Sequence, residues 1–97
     1  MKKGKDYMMT QTEKLAWEKQ AYGMTAVEVD QMVKQQAFPG TEMMFAAGLL
    51  SDAQHVIDAE FNDEGWVSPQ RANQARQYIN IAKKIMFDMM DQERKAA

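Results

Sequence analysis

Apolar residues recur along this chain at steps of three and four, and no stretch alternates long enough to make a strand. The pattern is most regular over residues 42–60, where Met43, Ala46, Leu49, Leu50, Ala53, Val56 and Ile57 fall on one stripe of a helix. Before it, Phe38-Pro39-Gly40 resists helical continuation, and the Thr41 hydroxyl is placed to accept a hydrogen bond from an N–H of the first turn. After it, Asn62-Asp63-Glu64-Gly65 has turn chemistry and predicts the helix end. Ser68-Pro69 then opens a second long helix, a cap residue followed by proline at the position where its missing N–H costs nothing. Ala72, Ala75, Ile79, Ala82, Met86 and Met89 form a seam on it for a partner at a shallow crossing angle. So short a connection makes the two helices antiparallel. In that register Met43, Met44 and Phe45 meet Met86, Phe87, Met89 and Met90, while Ala53, Val56 and Ile57 face Ala72, Ala75 and Ile79.

Upstream, Thr10-Gln11-Thr12-Glu13 and Thr25-Ala26-Val27-Glu28 both have capping-box spacing, with Gly23 between them in a left-handed, helix-ending role. Leu15, Trp17, Ala21 and Tyr22 are the expected apolar contacts of the first short helix, and Val29, Met32, Val33 and Ala37 those of the second, with Met24 and Val29 as its staple. Trp17 and Trp66 are expected to pack. The predicted architecture is a single all-α domain over residues 1–97, a small helical bundle. A flexible arm covers 1–9, two short helices lie within 10–37, and they pack on a long antiparallel helical hairpin over 41–94. The second hairpin helix also carries Tyr78, Ile81, Ile85 and Phe87 outside its seam, more apolar circumference than one neighbour covers. The N-terminal helices or a second copy must bury the surplus.

Composition narrows the class without naming a partner. The 97 residues contain no cysteine, which excludes disulfides and thiolate metal sites. No apolar run approaches the ~20 residues of a membrane-spanning helix, and the basic start lacks the hydrophobic stretch of a signal peptide. A soluble cytoplasmic protein with no membrane partner is expected. The net charge of −2 is small, yet its distribution is uneven: no Lys or Arg falls between Lys34 and Arg71, a span holding Glu42, Asp52, Asp58, Glu60, Asp63 and Glu64. Arg71, Arg76, Lys83 and Lys84 then make the second hairpin helix basic on its outer face.

Candidate chemistry is sparse. The glycine turn at Tyr22-Gly23-Met24 matches part of a DNA-binding helix-turn-helix, but Lys19 stands where close helix packing wants alanine, and the following helix sets Glu28 and Asp30 against Lys34 alone. His55 lies between Asp52 and Asp58 at three-residue steps, an arrangement able to take a cation only if an oligomer completes it; the reading is a surface helix with no metal site. Ser51 and Ser68, the only serines, have no general base, and no Gly-rich phosphate loop is present. No catalytic residue, cofactor or enzymatic activity is therefore expected. Two surfaces remain. An apolar patch of Phe45, Tyr78, Ile81, Phe87 and Met90 suits another protein or a second copy, giving a homodimer, and a basic face of Asn73, Arg76, Asn80, Lys83 and Lys84 suits an anionic ligand, a nucleotide or nucleic acid.

The segments Leu50-Ser51-Asp52-Ala53-Gln54 and Ala75-Arg76-Gln77-Tyr78-Ile79-Asn80-Ile81-Ala82-Lys83 resemble helical hairpins of short accessory proteins of tailed bacteriophages. The resemblance implies a setting in the host cytoplasm. There such proteins bind and block a host protein, defence systems included, or sequester a nucleotide signal. The expected function is a small interaction module acting by direct binding, with the anionic-ligand binder as the alternative.

Overall fold

The computed structural model describes residues 9–96, whose regular structure is helical throughout: α1 (Gln11–Tyr22), α2 (Ala26–Gln36), α3 (Glu42–Glu64) and α4 (Pro69–Ala96). The expected arm over 1–9 lies, Met9 apart, outside the described residues. No described helix is long and apolar enough to cross a membrane.

Both short helices begin as their sequences predict. Thr10 Oγ1 accepts from the Glu13 N–H at 3.1 Å while Glu13 Oε1 accepts from the Thr10 N–H at 2.9 Å. Thr25 and Glu28 repeat the exchange at 3.2 and 2.8 Å. The Thr25 backbone N–H, and then its hydroxyl, hold the Glu28 carboxyl below the usual carboxylate range. Gly23 and Gly65 end α1 and α3 in the left-handed region, at φ 79° and 78°, and their N–H groups return to Lys19 O and Phe61 O. The turn residues Asn62, Asp63 and Glu64 stay helical, so α3 runs to Gly65 instead of stopping near residue 60.

One expectation at the hairpin ends changes and the other is met. Thr41 does not cap α3: its hydroxyl donates to Phe38 O at 2.6 Å, closing the Pro39-Gly40 turn, so it is unavailable to the first helical turn. Ser68 does cap α4, accepting from the Arg71 N–H at 3.3 Å, and it is also braced from α3. Glu60 Oε2 accepts from the Ser68 N–H at 3.3 Å and from its hydroxyl at 3.0 Å.

α4 is the central element. Ala46 and Leu49 of α3 and Val29 of α2 converge on Ile81, Ala82 and Ile85, with Tyr22, Met24, Met32, Val33, Phe45, Tyr78, Met86 and Met89 packed around them. The Glu60–Ser68 bonds at one end, and a cleft shared by Glu42 and Gln92 at the other, set α3 and α4 as an antiparallel pair, although Met44 and Phe87, expected to meet within it, are exposed to 73% and 61%. Val29, fully buried, belongs to the cluster that covers Ile81 and Ile85. The surplus apolar circumference on that side of α4 is thus covered from within the chain.

α1 departs most from expectation. Leu15 and Trp17 were expected to be its packing residues, yet both face solvent, Trp17 at 53% exposure and stacked only edge-on against Tyr22, 5.7 Å between ring centres. The buried side chain of α1 is Glu18, whose Oε1 accepts from the Ala26 N–H at 2.9 Å. Polar bonds dock the end of the helix: Asn80 Nδ2 donates to Ala21 O at 2.9 Å and Gln77 Nε2 to Gln20 O at 3.4 Å. Trp66 is exposed as well, beside the hairpin tip.

Candidate functional site

The expected apolar patch divides between two environments. Ile81, at 3% exposure, is core and offers nothing to a partner; this corrects its place in the patch, because α2 closes over that side of α4. Phe45 and Tyr78 are half-buried against the same cluster. Phe87 and Met90 stay exposed, at 61% and 51%, on another side of the helix.

A different apolar surface emerges. Met43, Leu50, Ile57 and Ile79 were expected inside the hairpin seam, but they are exposed to between 37% and 48%. Each α3 position advances the helix by about 100°, which separates Met43, Leu50, Ile57 and the exposed Phe61 by roughly a quarter-turn from the buried Ala46, Leu49 and Ala53. Along α3 the exposed residues run 43, 50, 57, 61; along α4 Ala72, Ile79, Met86 and Met90 repeat the same seven, seven, four spacing, with Ile79 and Met90 exposed and Ala72 and Met86 half-buried. Both stripes are rotated in the same sense from the α3–α4 contact. On antiparallel helices that brings them out on one side of the hairpin, while Phe45, Tyr78, Ile81 and Ile85 come out on the other, against α1 and α2. The molecule is 21 Å through its thinnest direction, the depth of about two helix layers. Among the described residues the hairpin thus has one covered face and one open apolar face. The repeated spacing is the signal in the sequence that could have separated this face from the core.

The basic face is partly committed to the fold. Lys84 Nζ lies 2.9 Å from Asp30 Oδ1 and 2.7 Å from Asp88 Oδ2, tying α2 to α4. Burial alone pushes its ammonium down, and the two carboxylates, Asp88 foremost, more than reverse this and hold it above the ordinary lysine value. Asn80 is spent on Ala21 O. Asn73, Arg76 and Lys83 remain exposed. Tyr22, beside Lys84, is pushed up by burial, with Lys84 working against it.

Two of the concave regions carry charges of both signs. A cleft of about 510 Å³ between α2 and the ends of α3 and α4 sets Asp30, Glu42, Asp88 and Asp91 against Lys34 and Lys95. Another of about 520 Å³ at the hairpin tip holds Glu60, Asp63, Trp66 and Arg71 beside His55. His55 Nδ1 donates to Ser51 O at 2.8 Å, which turns that nitrogen back onto its own helix. Among the described residues no three His, Asp or Glu side chains gather into a metal-holding set.

Fold and surface define a small all-α helical bundle whose central hairpin is clothed, by the described residues, on one side. Comparison with protein-family models, curated proteins and solved structures finds no match for the chain.

Proposed function

We propose that this protein is a non-enzymatic interaction module whose working surface is the open face of the α3–α4 hairpin. The observation that carries the reading is the apolar stripe of Met43, Leu50, Ile57 and Phe61 on α3 beside Ile79 and Met90 on α4, all exposed. Scattered apolar residues on a surface call for no explanation; a ladder of them on two adjoining helices marks a place where another surface docks. The likeness of the hairpin to accessory proteins of tailed bacteriophages supplies a setting. In it the module binds a host protein in the cytoplasm, a defence protein among the candidates, and inhibits or redirects it by occupying its surface.

The anionic-ligand reading rests on Asn73, Arg76 and Lys83, since Lys84 and Asn80 hold the fold together. One experiment separates the two readings. Immobilised protein is offered a bacterial lysate in wild-type form, as Ile57→Asp with Phe61→Asp, and as Arg76→Ala with Lys83→Ala, each checked for helicity by circular dichroism. Binding lost in the apolar pair and kept in the basic pair is the expected result. Loss confined to the basic pair, and steep with added salt, replaces the reading with the anionic ligand.

A further inference from the structure

We propose that a second copy of this chain occupies the open hairpin face, related to the first by a two-fold axis running along the hairpin. α3 of each copy then lies antiparallel on α4 of the other, and the two hairpins form a four-helix bundle with α1 and α2 outermost. The inference rests on the open face being an interaction surface and names its occupant in the free protein, which another protein displaces when it docks.

Spacing is the first argument. Helices that pack at a shallow angle over a long contact need apolar residues about seven apart, so that the seam keeps facing its partner. Both helices of this face carry that spacing, 43-50-57 and 72-79-86, each closed by an apolar residue four further on. In the observed register Met43 is level with Met86 and Met90, Leu50 with Ile79, and Ile57 with Ala72. A two-fold along the hairpin preserves those levels and sets Leu50 of one copy opposite Ile79 of the other. The face is complementary to itself, as a two-fold interface requires.

Charge selects the direction of the axis. α3 carries six carboxylates and no Lys or Arg. At the rim of the face α3 presents Asp58, and α4 presents Arg76 and Lys83, all three exposed. An axis along the hairpin brings the Asp58 rim beside the Arg76 rim of the second copy. An axis across the hairpin would instead stack α3 on α3 and α4 on α4, like charge on like.

Area is the third argument. The exposed parts of Met43, Leu50, Ile57, Phe61, Ile79 and Met90 amount to on the order of 600 Å² of apolar surface. Specific interfaces bury ~800 Å² per partner in total, so this face supplies their apolar centre and leaves the rim to the charged residues.

The test uses the full chain. Light scattering on wild-type protein at micromolar concentration should give twice the 11.1 kDa chain mass, largely insensitive to salt. Leu50→Glu should halve that mass with helicity unchanged. Because the chain has no cysteine, the axis can be read by cross-linking. Leu50→Cys and Ile79→Cys, made separately and equilibrated together under mild oxidation, should yield a disulfide-linked dimer that neither yields alone. Cross-linking of Leu50→Cys with itself overturns the axis. A monomeric wild type overturns the second copy as occupant; if Ile57→Asp with Phe61→Asp still abolishes binding of another protein, the reading of the face as an interaction surface stands. A dimer that Leu50→Glu leaves intact forms through another surface and overturns the second copy as the occupant of this face.

Discussion

Lys84 illustrates how one side chain changes role between sequence and structure. On the linear chain it continues a basic run with Lys83, while in the fold its neighbour stays in solvent and Lys84 reaches across to Asp30 while pairing with Asp88 one turn on. Its folded-state pKa lies above the ordinary lysine value despite the burial that opposes this. The sign follows by linkage: the contribution to stability is fully present below the unfolded lysine value, about 10.4, and disappears as pH rises through the folded value. Thermal unfolding followed from neutral to strongly alkaline pH should therefore show wild type converging on Lys84→Met, with a difference of about 1 kcal/mol at neutral pH because both carboxylate partners are more than half exposed. A constant gap over that range would remove the ion pair as its cause.

At the scale of the element, glycine-ended helices offer a matched pair. Gly23 and Gly65 share almost the same left-handed backbone, so alanine at either meets a backbone penalty of ~1–2 kcal/mol. Their surroundings differ. A Cβ at Gly65 meets nothing within 4 Å, whereas one at Gly23 comes within 3.0 Å of Gln77 Oε1 and 3.2 Å of its Cδ. Gln77 must then give by a few tenths of an ångström, which strains its already long 3.4 Å bond to Gln20 O, one of the bonds that docks α1. Gly23→Ala is expected to cost more than Gly65→Ala by about 1 kcal/mol in urea unfolding. Equal costs would place the whole effect in the backbone. The element scale also explains α3: its apolar stripe is wider than one partner helix can cover, so the packing sorted it into an inner row, Ala46, Leu49 and Ala53, and an outer row, Met43, Leu50 and Ile57.

For the whole molecule, the unequal attachment of the helices sets an order of opening. α2 is anchored by the fully buried Val29, whereas α1 exposes Leu15 and Trp17 and is held towards its C-terminal end, by the buried Glu18, by Tyr22 and by bonds from Asn80 and Gln77 to its last carbonyls. α1 should open locally at low cost while α3 and α4 stay folded. Asn80→Ala is expected to speed amide exchange throughout α1 several-fold and to leave the exchange of the hairpin core nearly unchanged. A uniform loss of protection would show instead that α1 and the hairpin unfold together. The same asymmetry bears on recognition, since the helices that cover the hairpin protect one face and leave the other to a partner.

What the chain alone determined is local. The two capping boxes, the glycine stops, the Ser68-Pro69 start and the three-and-four periodicity follow from interactions within about four residues, and all are met in the structure. The antiparallel hairpin was legible too, because a short connection leaves two long helices no other arrangement. The contacts of α1 were not legible, since nothing local distinguishes an apolar residue that finds a partner from one that does not. The Thr41 hydroxyl depended on the turn before it, and Glu60 on a loop eight residues away. Tertiary structure alone decided which side of an over-wide apolar helix became core. Periodicity gives the direction of a stripe about its own axis, but only the position of α1 and α2 against α4 makes Ile81 and Ile85 interior and leaves Leu50, Ile57 and Ile79 at the surface.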